Sequence, residues 1–193
     1  MKKWAIIYSS VTGNTKKIAD AMAEALDGHV DVFRVQDAPQ DLSAYDVVAI
    51  GYWLRLGQPD PLTLKYLAGV ENAKVVFFQT HGTAPTSEHA ITSFARAGYH
   101  LGAGCEILGT FGCRGKINPA MLEKRKKAGP DDPHGGPQSE ERWRLAATHP
   151  DAQDIAAAQD LVERMEHKLV LKARFAAKQA AKLAALQQQR KQE

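Results

Sequence analysis

Five short runs rich in β-branched and aromatic residues punctuate the first 115 positions: WAIIYS at 4–9, VDVFRV at 30–35, DVVAIGY at 46–52, KVVFFQT at 74–80 and CEILGTFG at 105–112. Most are continuously apolar, the pattern of strands covered on both faces. Helical periodicity fills most of the intervals. Ile18, Met22, Ala25 and Leu26 share a face within 14–27, and Leu64 and Leu67 share one within 61–70. Ile91, Phe94 and Ala95 do so within 87–101, where Ser87 is a candidate N-cap. This alternation predicts an open parallel sheet with right-handed crossovers and helices on its faces. At 193 residues, one domain with a short appendage is expected.

The pattern changes after Gly115. Residues 118–128 read as a short helix opened by Asn118 and Pro119, closing a domain over 1–128. The stretch GPDDPHGGPQ (129–138) is a loop by composition, and a helix begins near Ser139, so 129–150 reads as a loop and short helix packed on the domain. Asp151 then caps a helix running through 151–193 without a break. Forty-three helical residues extend about 65 Å, whereas a domain of this size has a radius of gyration near ~15 Å. The helix is expected to pack through about Phe175, using Ile155, Leu161, Val162, Met165 and Leu169. Beyond that it projects, frays, or meets a partner or a second copy of the chain.

From Lys168 onward seven cations stand against the single acid Glu193, while the whole chain carries only +3. So small a net charge does not argue for a nucleic-acid partner. The two cysteines, Cys105 and Cys113, make no disulfide scaffold. On one strand they would stand about 26 Å apart, and a bridge spans only about 6 Å between Cα atoms. Free thiols point to a reducing compartment. The apolar run after Met1-Lys2-Lys3 is broken too early by Ser9, Ser10 and Thr12 for a signal peptide, and no run reaches membrane-spanning length, so a cytoplasmic protein is expected.

The first run ends in YSSVTGNTKK (8–17), rich in donors and poor in anything that fills a core. A loop leaving a strand and entering a helix offers free backbone N–H groups at the positive end of the helix dipole. Ser10, Thr12 and Thr15 add hydroxyls, Asn14 an amide, and Gly13 a residue that tolerates positive φ. This composition suits a terminal phosphate held mainly by neutral dipoles; the alternative is an ordinary helix cap. The spacing fits neither a nucleotide-triphosphate P-loop nor a three-glycine dinucleotide fingerprint.

Ser10-Val11-Thr12-Gly13-Asn14-Thr15 after the first strand resembles the phosphate loop of the flavodoxins, and the strand–helix order agrees over residues 3–117. Three further stretches fit short members of that family in the same order. They are Gly51-Tyr52-Trp53 with Leu54 and Gly57, then Thr80-His81-Gly82-Thr83 followed by Ser87-Glu88-His89-Ala90, and Gly109 through Ile117 with Cys113.

The resemblance implies a flavodoxin-like α/β fold with a five-stranded parallel sheet in the order 2-1-3-4-5 and FMN at the carboxyl ends of the strands. It implies Trp53, flanked by Tyr52 and Leu54, against the flavin ring, and Thr80–Thr83 meeting its pyrimidine edge through backbone donors. Trp53 as a core or lid residue and His81 as a plain loop residue are the alternatives. Cys113 follows the fifth strand near the expected ring, either as a packing residue or as a redox thiol. Lys16 and Lys17 reach the phosphate or stay solvated.

By the same resemblance the chain is an electron carrier between redox protein partners. A flavin-dependent reductase of a small quinone- or bilin-type substrate and a non-redox interaction module are the alternatives; some similar proteins are associated with bilin reduction. Arg55, Arg114 and Lys116 depart from the acidic flavin edge of electron-transfer flavodoxins. They are expected to make the second flavin reduction less difficult, since one charge about 5 Å away is worth roughly 3 kcal/mol.

Overall fold

A computed structural model describes residues 2–127 and 137–190. Strands β1 (Trp4–Tyr8), β2 (Val30–Arg34), β3 (Val47–Arg55), β5 (Lys74–His81) and β6 (Glu106–Arg114) form a parallel sheet in the order β2-β1-β3-β5-β6. This is the expected five-stranded arrangement. One strand was not legible: β4 (Gln58–Pro59) folds back antiparallel on the end of β3. Helices α1 (Asn14–Ala25), α2 (Pro61–Leu67) and α3 (Glu88–Tyr99) follow the first, third and fourth of the long strands. After β6 come α4 (Pro119–Lys126), α5 (Pro137–Ala146) and α6 (Ala152–Arg190). Asn118 and Ser87 cap α4 and α3 through their side chains, as the sequence predicts. The loop expected at 129–138 falls mostly outside the described residues, and α5 is already helical at Pro137.

Alternation along the strands divides the core between two faces. Trp4, Ile6, Phe78 and Val76 meet Ile18 and Met22 of α1 and Leu161 and Val162 of α6. Ala5, Ile7, Ile50 and Phe77 meet Tyr66 and Leu67 of α2 and Ala97 of α3. Every residue of β1 is buried, which is why that run carries no polar position. Gly51 is required by packing: a Cβ there would lie 2.0 Å from Cζ of Phe78, whose ring crosses over β3.

Helix α6 runs antiparallel to the strands. Near its start, Lys17 Nζ donates to the Pro150 carbonyl (2.7 Å) and Lys116 N to the His149 carbonyl (2.9 Å). Farther along, Glu166 accepts from Trp4 Nε1 (2.5 Å) and from the Lys2 backbone N–H (3.2 Å), at the opposite edge of the sheet. Lys172 pairs with Glu106 at the start of β6 (2.6 Å). Packing ends earlier than the sequence predicts. Leu169 is buried, but Leu171 is 49% and Phe175 64% exposed, because the sheet ends at this level and the helix continues past it. The overhang therefore leaves the pole opposite the carboxyl-end loops. Among the described residues no helix is long and apolar enough to cross a membrane.

Candidate cofactor site

Three loops converge at the carboxyl edge of the sheet. In the first, Gly13 takes φ +85° at the N-cap of α1 and no side chain caps the helix, so its first-turn N–H groups are left for another acceptor. Asn14 Nδ2 donates to Thr12 Oγ1 and to the Lys116 carbonyl, both at 2.8 Å. Thr12 Oγ1 is thereby an acceptor in one bond with its own proton free to donate outward. Ser10 Oγ is buried with no partner. Val11 lies exposed at the loop's tip. Thr15, fully buried, places Oγ1 2.9 Å from Thr80 Oγ1 and so joins the first loop to the end of β5. Lys16 is engaged with Asp20 (2.7 Å) and Lys17 with Pro150, which leaves the loop's neutral dipoles as its chemistry.

The second loop is a tight hairpin. Leu54 pairs with Pro59 and Arg55 with Gln58, and the turn places Leu56 at φ +51° and Gly57 at φ +73°. Arg96 Nη1 of α3 donates to the Gly57 carbonyl at 2.9 Å, fixing the hairpin against that helix. Trp53 and Leu54 are half-buried; Arg55 is exposed. Trp53 stands opposite Thr80 in the β3–β5 register, on the face that carries the first loop.

The third loop leaves β5 through His81, Gly82 and Thr83. Gly82 packs under Ile117, whose Cδ1 a Cβ there would approach to 3.0 Å. Gly115 N donates to the His81 carbonyl (2.9 Å), which ties this loop to the end of β6.

Two of the sequence-predicted residues turn away from the mouth. Tyr52 lies in the core beside α3, edge-on to Phe77 and Phe94, with its hydroxyl 3.4 Å from Ser93 Oγ; burial pushes its ionisation up. Cys113 is in the core under α1 and α6, and burial, with the Asp154 and Asp151 carboxylates, pushes its thiol up. A thiol so held stays protonated, which removes the physical basis for a redox-active thiolate. Adjacency to motif residues suggested both, but the two-residue period of the strand sends Tyr52 to the face opposite Trp53, and Cys113, which shares the face of Thr80, is covered there by α1 and α6.

Sequence reasoning missed Ser9 and Asp60. Asp60, 1% exposed, caps α2 and accepts from Ser9 Oγ (3.0 Å) and Thr63 Oγ1 (2.8 Å), so a buried carboxylate locks the first loop to the second. The Asp-Pro start of α2 was the available signal. His149, Asp151 and Asp154 also gather their ligand atoms within 4.8 Å. Their bonds are those of a capping box: Asp151 Oδ1 accepts from Asp154 N (3.0 Å) and Asp154 Oδ2 from Asp151 N (2.9 Å).

Among the described residues, the buried side-chain nitrogens and oxygens without a partner are Ser10 Oγ, His81 Nε2 and Arg114 Nε, and all three lie at this one edge. Unpaired buried polar atoms are rare in folded proteins. Their concentration here, with an uncapped helix start, fits a ligand carrying a phosphate and a polar ring edge.

The sheet order and its flanking helices are those of the flavodoxin fold. The chain matches the flavodoxin domain over residues 5–163 and belongs to that family. It is 31% identical over 169 residues to the flavodoxin-like domain-containing protein BilS of Clostridioides difficile (strain CD3), covering 84% of this chain and 96% of that protein. The protein of the same description from Clostridium symbiosum (strain WAL-14163) is 27% identical over 175 residues, covering 81% and 92%. Among solved structures, oxidised flavodoxin 2 from Bacillus cereus superposes with a TM-score of 0.56 at 18% identity, covering 86% of this chain and 99% of that one. The Streptococcus pneumoniae TIGR4 flavodoxin does so with 0.54 at 16% identity, covering 86% and 98%. These two likenesses concern the fold.

Proposed function

We propose that this protein binds FMN at the carboxyl edge of its sheet and passes electrons between redox protein partners. The observation that carries the reading is the gathering of unpartnered buried polar atoms at the first and third loops, at the edge where a parallel sheet of this topology binds ligands. Ser10, Thr12 and the first-turn N–H groups of α1 hold the phosphate by dipoles. Trp53 and the third loop flank the ring and exclude water from it. The bound flavin supplies the redox chemistry, and the protein tunes its potential and access. Arg55 at the hairpin and Arg114 at the end of β6 place positive charge near the mouth and favour the more negatively charged, reduced cofactor.

The test is anaerobic potentiometric titration of FMN-reconstituted protein, with an NAD(P)H oxidation assay alongside. Two resolved one-electron steps without NAD(P)H consumption are expected. A single two-electron step with NAD(P)H turnover makes the protein a reductase, and failure to bind FMN makes it an interaction module.

A further inference from the structure

Helix α6 changes character where the sheet ends. Along its packed part the charges have partners: Arg164 pairs with Asp160 (3.3 Å), Glu166 accepts from Trp4 and Lys2, and Lys172 pairs with Glu106 (2.6 Å). Beyond Lys172 the sequence holds no acid before Glu193. Arg174, Lys178 and Lys182 are exposed there, and none has an ion-pair partner among the described residues. They recur at four-residue spacing, so three like charges stand one above the other on the helix and repel. Elsewhere the same spacing joins opposite signs, as in Lys16–Asp20 and Asp160–Arg164.

Two large exposed apolar side chains, Leu171 and Phe175, lie within the same stripe. At about 100° of rotation per residue, they and the three cations fall within an arc of about 100° and along about 17 Å of helix. Ala173, Ala177, Ala180 and Ala184 occupy the opposite side. This arrangement limits what can cover the stripe. A helix lying in a membrane interface separates its cations from its large apolar side chains, and here Leu171 and Phe175 stand among them. A phosphate backbone would engage the cations and leave both apolar side chains in water. The overhang of a second copy carries the same charge and is repelled. A protein groove with an apolar floor and acidic rims meets both parts of the stripe.

We propose that the overhang of α6 is a docking helix for an acidic protein partner, with Leu171 and Phe175 seated in the partner's groove and Arg174, Lys178 and Lys182 paired with carboxylates on its rims. The overhang leaves the pole opposite the carboxyl-edge loops, so a partner held there leaves those loops uncovered. Docking at this pole does not depend on what the loops bind. The cations steer the encounter, and the desolvated aromatic anchor slows release.

The experiment follows the fluorescence anisotropy of labelled probes titrated with the full chain at low salt. The main probe is a helical-hairpin peptide whose leucine-lined groove is flanked by glutamates; the others are the same hairpin with glutamines, a DNA duplex, and vesicles of phosphatidylcholine and phosphatidylserine. The acidic hairpin is expected to bind at least about tenfold more tightly than each of the others. Phe175→Ala should weaken that binding by at least about tenfold. Joint replacement of Arg174, Lys178 and Lys182 by Gln should do the same and remove most of the salt dependence. A chain ending at Lys172 should lose the binding altogether, with its FMN affinity intact. Failure to bind the acidic hairpin, or undiminished binding by Phe175→Ala, overturns the docking helix. Tighter binding of the duplex or of the vesicles overturns it in favour of nucleic acid or membrane. Self-association in sedimentation that disappears in the chain ending at Lys172 overturns it in favour of a second copy.

Discussion

The hydroxyl oxygen of Thr15 lies 2.9 Å from that of Thr80, a contact between residues 65 positions apart that welds the first loop to the third. Both residues are buried at the edge of the sheet. Thr15→Val keeps the volume and removes the hydroxyl, leaving Thr80 Oγ1 unpaired. Urea denaturation should show a loss of about 1–2 kcal/mol, and Thr15→Ser should restore most of it.

Ser10 behaves in the opposite sense. Its hydroxyl is buried without a partner, so it is a burden on the unliganded fold. Ser10→Ala should leave apoprotein stability unchanged or raise it by up to about 1 kcal/mol, while weakening FMN binding by about tenfold. Parallel urea melts and FMN titrations read the two effects separately. A purely structural serine would show a stability loss and no binding loss.

His81 links stability to pH. Its folded pKa, about 4, lies below the ordinary value of 6.5. The unfolded chain therefore takes up a proton first as pH falls. Stability from this group is fully present above pH 6.5 and is lost on acidification toward pH 4. Between pH 7.5 and 5 the loss is about 2 kcal/mol, and it should vanish in His81→Gln when both proteins are melted at the two pH values.

The overhang of α6 should be separable from the rest. Beyond Leu169 the described large apolar side chains Val170, Leu171, Phe175 and Leu183 are all exposed, from 39% to 64%. The family match ends at residue 163. A chain ending at Lys172 should melt within about 2 °C of the full chain and bind FMN equally well. Scanning calorimetry of the two proteins decides this.

Much of this architecture is legible in the sequence because burial on both faces writes itself as apolar runs. Trp4–Tyr8 and Lys74–His81 are read directly, and so are the caps at Ser87, Asn118 and Asp151. The hairpin after β3 was not. Gln58–Pro59 is too short for any period, and its turn places Leu56, not glycine or asparagine, at φ +51°. The Ser9–Asp60 bond was equally hidden, since pairing across 51 residues leaves no local trace. Tyr52 and Cys113 show the limit of motif reading: a motif gives position along the chain, but strand parity turns Tyr52 to the other face and the helices over the sheet bury Cys113. Phe175 shows the limit of length arguments, because helix α6 stops packing where the sheet ends.

Calorimetric titration of apoprotein with FMN and with riboflavin tests the central claim, that residues 10–15 grip a phosphate with uncharged dipoles. The account predicts tight binding of FMN, binding of riboflavin weaker by at least about a hundredfold given several charge-assisted hydrogen bonds to the phosphate, and a larger loss of FMN affinity in Ser10→Ala than in Lys16→Ala. Equal heats for the two flavins, or no heat with FMN, would contradict it.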